Sequence, residues 1–338
     1  MFRGAKSLCL RVDTERQGTG TVKLEGIHLL DISTPFPVGK TNIYLVEGRM
    51  PTLIDAPPKG MFYVDELRVA LKRLDYSIGD IARIIVTHPH FDHFGSAADI
   101  VRMSGAAIWA SRGAARHLEH FEDEFRQDYD HYSNILLQAG VPGDVRNYLG
   151  TFSSWARLYG CSVPVSRVLD DEDEIELGPG PCRVADVPGH SPWCILVYSQ
   201  DRTFCFSGDF LLKEISSNAL IQRPAAALQG YRSLRAYLTS LRKVKRLGIR
   251  RALPGHGEVI GDVAGRIDQI TAFIGERKEL VRHILARGPC KPFSIVQQIF
   301  PTLETDQLFL GISEVIGHLE LLESEGLAWQ RQGLWGAR

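Results

Sequence analysis

Between Thr87 and His93 the chain reads Thr-His-Pro-His-Phe-Asp-His, which sets four metal-competent side chains, His88, His90, Asp92 and His93, within six residues. Only 11 histidines occur in the whole chain and three of them fall here, so composition alone does not account for the cluster. Imidazole nitrogens with carboxylate oxygens suit zinc, manganese or iron. Pro89 and the β-branched run before the motif oppose a helix, so the segment is expected to be a loop that folds its ligands around a centre. One loop cannot close such a site, and partners should stand at later strand exits. Three candidates do: His190 in Pro188-Gly189-His190-Ser191, Asp209 in Ser207-Gly208-Asp209, and His256 in Pro254-Gly255-His256-Gly257. Each has a glycine neighbour, which permits close backbone approach. Taken singly, each also has an ordinary reading, as a histidine satisfied by a backbone hydrogen bond or as a Gly-Asp turn.

The elements that must position these residues follow from hydrophobic periodicity. Strands are expected within Thr21 to Ile32, at Asn42 to Glu47 and at Thr52 to Ile54. Phe62 to Leu74 has the spacing of a helix, and Ile81 to Val86 is a buried strand. Strand, helix, strand in that order implies a layered α/β arrangement. After a short strand at Ala106 to Ala110, the segment from Arg112 to Tyr159 is helical, aromatic and charged, and reads as an insertion that could cover a site. Strands return at Val165 to Leu169, Cys182 to Val187, Cys194 to Tyr198 and Thr203 to Phe206. Helices at Arg232 to Leu247 and Asp262 to Arg287 flank the short strand Ala252-Leu253. The tail reads as two helices, Ile295 to Phe300 and Ile312 to Ser324, followed by a β-ribbon through Leu327-Ala328-Trp329 and Leu334-Trp335, which is a winged-helix-like order.

Composition narrows the functions these elements could serve. With 44% apolar and 23% charged residues the chain is globular. Thirty-nine basic residues balance 40 acidic ones, so nothing attracts polyanions globally. Its longest apolar runs fall far short of the roughly 20 residues that span a bilayer. Arg3 and Lys6 precede only a short Leu8-Cys9-Leu10 run, and the six cysteines form no C-x-x-C pair, so a cytoplasmic protein with free thiols is expected.

His88-x-His90-x-Asp92-His93 followed by His190, Asp209 and His256 resembles the metallo-β-lactamase superfamily, in the glyoxalase II-like branch, from about Gly26 to Gly261. Asp55, closing Leu53-Ile54-Asp55, matches a strand-end aspartate of that family. The tail resembles the winged-helix-like domain of the β-lactamase-like protein 2 endoribonucleases. The resemblance implies an α/β fold, a four-layer αββα sandwich over residues 1–261 with a helical lid at about 112–160, and a winged-helix-like unit over 262–338. It also implies two divalent metal ions, zinc first with manganese or iron as alternatives. His88, His90 and His190 would hold one ion, Asp92, His93 and His256 the other, and Asp209 would bridge them. A hydroxide shared by the metals would attack a small ester-like substrate, Asp92 would relay a proton to the leaving group, and Asp55 would orient a ligand histidine.

The chain departs from the family at Trp193, which could crowd the first metal or pack beneath it, at Ala56-Pro57-Pro58, and in the long insertion. Tyr129 or Tyr132 could reach over the metals to bind an oxyanion, the plainer reading being core packing or exposure. His117 and His120 stand among acidic residues and read as a solvated face. The aromatic insertion suits an apolar acyl pocket or a contact in a homodimer. A thioester is the expected substrate, with a lactone left open because ring esters need the same attack geometry. Two alternatives are an endoribonuclease-type phosphodiesterase and a mono-iron oxidoreductase like the persulfide dioxygenases. The helix Ile312 to Ser324 carries three glutamates and neither lysine nor arginine, which argues against nucleic acid.

Overall fold

The computed structural model describes residues 24–215, 217–223 and 228–338. Arg3, Lys6, the Leu8-Cys9-Leu10 run and the first residues of the strand expected from Thr21 lie outside these. β1 (Ile27–Ile32), β2 (Thr41–Val46) and β3 (Thr52–Ile54) form an antiparallel meander. α1 (Met61–Lys72) returns the chain to β4 (Arg83–Val86), parallel to β3, because Ile84, Ile85 and Val86 are apolar on both faces and need cover on both. α2 (Phe91–Phe94) and α3 (Ala97–Ser104) lead to the parallel β5 (Ala107–Ser111). The insertion follows as α4 (Arg112–Glu119), α5 (Phe121–Gln138) and α6 (Gly143–Ala156), and β6 (Arg167–Leu169) completes this sheet.

The second sheet runs antiparallel through β7 (Glu174–Leu177), β8 (Gly180–Asp186), β9 (Ile195–Ser199) and β10 (Phe204–Gly208). α7 (Ser233–Leu247) then crosses to β11 (Arg251–Pro254), parallel to β10. β7 has no counterpart in the sequence reading. It is four residues long, and its glutamates point outward while Ile175 and Leu177 are buried, so its apolar signal is only two residues.

Tyr44, Ile54 and Ile85 of the first sheet pack against Val184, Val197 and Phe206 of the second. Leu67 and Leu71 of α1 and Ile100 of α3 cover the outer face of the first sheet. Tyr237 and Leu241 of α7, with Ile267 and Ile270 of α8 (Val263–Leu285), cover the second. Helix, sheet, sheet, helix is the four-layer αββα order that the resemblance implies.

The tail adds α9 (Pro292–Ile299), α10 (Leu308–Ser324) and the ribbon β12 (Ala328–Arg331) and β13 (Leu334–Ala337). α9 and α10 begin earlier than their apolar periodicity indicates, α9 because Pro292 sits in its first turn, where a missing N–H costs nothing. α10 is interior. Ile312, Val315, Leu319 and Leu322 are buried, Glu314 meets Arg277, and Glu320 meets Arg232. Leu136, Ala139 and Leu149 of the insertion share one apolar cluster with Val281, Ile295 and Ile312, so insertion and tail pack together.

Candidate metal centre

Strand exits gather the seven ligand-type side chains at one end of the sandwich, where open α/β sheets collect their reactive groups. β4 exits into Thr87, His88 and His90, and the short α2 that follows carries Asp92 and His93. β8, β10 and β11 of the other sheet exit toward His190, Asp209 and His256. The two sheets are joined at this end: the Ile195 N–H donates to the Thr87 carbonyl (2.9 Å) and the Asn42 N–H to the Gly255 carbonyl (2.7 Å). Asn42 Nδ2 also donates to the carbonyls of Pro254 (2.9 Å) and Gly257 (2.8 Å), clamping the loop that bears His256.

Three side-chain groups converge there. His90 Nδ1 lies 3.1 Å from His88 Nε2 and 3.0 Å from His190 Nε2. His93 Nε2 lies 3.3 Å from His256 Nε2, and Asp92 Oδ2 is 3.5 Å from the same His256 nitrogen. Asp209 stands between the two sets, with Oδ1 3.5 Å from His93 Nε2 and Oδ2 3.5 Å from His256 Nε2 and 3.7 Å from His190 Nε2. His88 with His90 and His190, His88 with His93 and Asp209, and Asp92 with His93 and His256 each bring three ligand atoms within 4.8 Å of one another.

What surrounds these atoms fits a divalent cation. The outward nitrogens are committed elsewhere: His190 Nδ1 to the Asn218 carbonyl (2.9 Å), His256 Nδ1 to the Lys40 carbonyl (2.7 Å) and His93 Nδ1 to Asp55 Oδ2 (2.9 Å). An imidazole that donates outward through one nitrogen aims the lone pair of the other inward, the orientation a metal ligand needs. Inward lone pairs 3.0–3.3 Å apart repel unless a proton or a cation lies between them. Asp209 Oδ1 is buried and has no hydrogen-bond partner among the described residues. Glycine is required beside it, since a Cβ at Gly255 would come within 2.4 Å of that oxygen.

Burial is the largest influence on every one of these groups. It drives His88 well below the usual imidazole range, with His93 and His90 adding to the effect, and with His190 it holds His90 down to about 3. His190 is lowered by burial as well. In His93 and His256 burial is overridden, because Asp209 and Asp92 hold both imidazoles above their usual value. Burial also opposes charge on the carboxylates, yet His93 and His256 keep Asp92 down to about 2 and Asp209 well below the ordinary range.

Asp55 ends β3 with φ 65°, and its two oxygens accept from the Thr87 N–H (2.7 Å), Thr87 Oγ1 (2.8 Å) and His93 Nδ1. The Ala56-Pro57-Pro58 loop beside it is tied to α2 by the Ala56 N–H on the His93 carbonyl (2.8 Å). Trp193 packs on α4, where a Cβ at Gly113 would meet its ring at 2.0 Å. Tyr132 packs at a tilt on Phe309 of α10, with ring centroids 4.8 Å apart, and the Tyr129 hydroxyl lies against Gly150 of α6. Among the described residues neither tyrosine hydrogen-bonds to the histidine cluster. His117 is no solvated residue: it is half-buried, with Nδ1 on the Gly113 carbonyl (3.1 Å) and Nε2 3.7 Å from Glu124 and 3.8 Å from Asp128, because the turn into α5 folds those carboxylates back onto it. Sequence reasoning passes over Asn42 and Asn218, gives Thr87 no role, and of one aromatic group at the site singles out only Trp155, within the aromatic insertion. In that group Phe91, between His90 and Asp92, packs on Phe36 (5.0 Å), which also touches Trp155 (6.0 Å) and Tyr159 (5.4 Å).

Comparison with known proteins agrees with this geometry. The metallo-beta-lactamase superfamily matches residues 36–256. A Bacillus subtilis protein named "Probable metallo-hydrolase YqjP" is 30% identical over 307 residues, spanning 89% of this chain and 93% of that one. A Caenorhabditis elegans "Beta-lactamase-like protein 2 homolog" is 24% identical over 79% of this chain and 72% of its own. The Bos taurus "Acyl-coenzyme A thioesterase MBLAC2" is 27% identical over 52% of this chain and 56% of its own. A metallo-beta-lactamase family protein from Thermus thermophilus superposes with a TM-score of 0.78, at 24% identity, over 93% of this chain and 99% of that one, which shows a shared fold. With residues 36–256, well over half of its length, inside the family match and ligand-type residues where β4, β8, β10 and β11 exit, this chain belongs to the metallo-beta-lactamase superfamily.

Proposed function

We propose that the chain is a two-metal hydrolase of small thioesters, with zinc as the first expectation and manganese or iron as alternatives. The observation that carries this reading is the position of Asp209, within 3.7 Å of ligand nitrogens on both sides of the cluster. His88, His90 and His190 would hold one ion and Asp92, His93 and His256 the other, with Asp209 shared. Bound there, the ions supply an acidic water near neutral pH and a Lewis acid for the scissile carbonyl.

The chain's own groups account for the remaining steps. The Asp92 carboxylate, held ionised, would take a proton on the oxygen turned away from His93 and His256 as water adds to the carbonyl carbon. It returns that proton to the sulfur as the C–S bond breaks, so an acid and a thiol leave. Phe91 and its partners Phe36, Trp155 and Tyr159 offer an apolar wall one residue from two ligands, suited to an acyl chain. The thioesterase name of the MBLAC2 relatives supports the same substrate class.

The phosphodiesterase reading has less support, because α10 is interior and turns Glu314 and Glu320 onto Arg277 and Arg232. Residues 262–338 are accordingly proposed as a winged-helix-like unit with a structural role. The single-iron reading leaves Asp92, His93 and His256 without work. We place the enzyme in the cytoplasm: the five described cysteines are free, as in a reducing compartment, and no described helix is long and apolar enough to cross a membrane.

Elemental analysis of protein purified without added metal, followed by a panel of acyl thioesters, tests this reading. Near two equivalents of metal per chain and thioester turnover are expected, with Phe36→Ala raising KM for long acyl chains more than for acetyl. One equivalent of iron with oxygen uptake on persulfides would replace the hydrolase with the oxidoreductase, and no metal after reconstitution would refute both.

A further inference from the structure

His190 takes its outer hydrogen bond from outside the sandwich. The carbonyl that accepts from its Nδ1 belongs to Asn218, in the connection between Asp209 and α7. That connection is fastened from three directions. Ser217 Oγ donates back to the Asp209 carbonyl. Asn218 Nδ2 donates to the Leu310 carbonyl (2.9 Å), and the Ile221 N–H donates to Ser313 Oγ (2.7 Å), both on α10. Arg223 donates to Asp128 (2.7 Å), Gln127 (3.0 Å) and Glu124 on α5, with Glu124 only 3% exposed. Residues 217–223 form a strap between the site, the tail and the insertion.

A histidine is oriented only as well as the group its outer nitrogen leans on. A carbonyl in an unsupported loop samples many directions, and the ring would follow it. Asn218 Oδ1 has no partner among the described residues, so the bond to Leu310 is the fixed tie of that side chain. Ser313 is fully buried and supplies the second tie three residues further on. We infer that α10, through Asn218 and Ser313, positions His190 and thereby sets the affinity of the metal site formed by His88, His90 and His190. Asn218 and Ser313 are positioning residues that touch no reacting atom, and the tail becomes a working part of a site to which it contributes no ligand.

The inference rests on the two-metal reading, and one titration separates their failures. Full-length protein, Asn218→Ala and Ser313→Ala are each titrated with Zn²⁺ against a competing chelator, and with Co²⁺ followed by its visible absorbance. The unsubstituted chain should bind two equivalents. Both variants keep the Asn218 carbonyl and lose only what steadies it, so in each one equivalent should weaken by up to about 10-fold, the low end of what losing the outer-shell partner itself costs, while the other keeps its affinity. Leu322→Ala truncates the α10 core away from the strap and serves as control: it should lower the melting temperature and leave both affinities unchanged. Variants that melt earlier yet bind both ions as tightly as the unsubstituted chain would overturn the inference alone. An unsubstituted chain that takes up no second equivalent would overturn the two-metal reading, and the inference with it.

Discussion

The two halves of the candidate site are almost equally buried, yet different parts of the molecule hold them. His93 and His256 lean on the sandwich itself: on Asp55 at the end of β3 and on the Lys40 carbonyl just before β2, with Asn42 clamping the same loop. His190 leans on a strap hung from α10 and α5. Charge divides them in the same way. Burial disfavours the charged form of His88, His90 and His190, whereas Asp209 and Asp92 favour it in His93 and His256 against the same burial. One half is thus preformed by the β framework and carries its own compensating carboxylates. In the other, His88 leans on Thr87 Oγ1 (3.1 Å) at the exit of β4, and only His190 depends on packing between segments 92 residues apart.

Asp209 is where the halves meet, and breaking it should erase the difference between them. Asp209→Ala is expected to weaken both metal equivalents by more than about 100-fold, beyond the cost of an outer-shell partner, and to abolish turnover. Elemental analysis after dialysis reads the first outcome, and full activity in the variant would remove Asp209 from the bridging role. Asp55→Asn should sharpen the contrast. Asparagine tolerates the positive φ at this position and keeps an acceptor for the Thr87 N–H, so the principal loss is the carboxylate on His93 Nδ1. One equivalent should weaken by about 10–100-fold, and it should be the equivalent that Asn218→Ala spares. If both variants weakened the same ion, the halves would share one support.

The part of the site that is legible in sequence is the part made of side chains with unusual chemistry. His88, His90, Asp92 and His93 stand directly behind an apolar strand, and His190, Asp209 and His256 each interrupt a strand exit beside glycine, so residue type and position speak together. The supports are hidden because several are backbone carbonyls: any residue at positions 40 or 218 offers one, and no residue type marks which carbonyl a histidine meets. Asn42 leaves a faint trace, a polar amide in an otherwise apolar strand, where asparagine is disfavoured. The sandwich is legible from alternating and β-branched runs, except where β7 offers two apolar residues. The joint core of insertion and tail is not, because periodicity shows that Leu136 and Ile312 lie on apolar helix faces and says nothing of which face meets which.

The strap-bound half should also be the half that responds to pH through its support. Glu320 on α10 is buried enough that its carboxyl is pushed up to about 7, against the pull of Arg232, the residue before α7. The folded chain therefore keeps a proton that the unfolded chain has lost above the usual value near 4.5. Stability from the neutral form is fully present below about 4.5 and is lost as pH rises through about 7. Glu320→Gln stays neutral throughout and escapes that loss. It should melt with the unsubstituted chain near pH 4.5 and above it near pH 8, by roughly 2–4 °C, the shift that about 1 kcal/mol gives a domain of 150–250 residues. Thermal melts at both pH values decide between two forces on one side chain. A lower melting temperature for the variant at pH 8 would mean that the ion pair with Arg232 outweighs burial, and that the tail grips the end of the strap more firmly, not less, as the solution becomes alkaline.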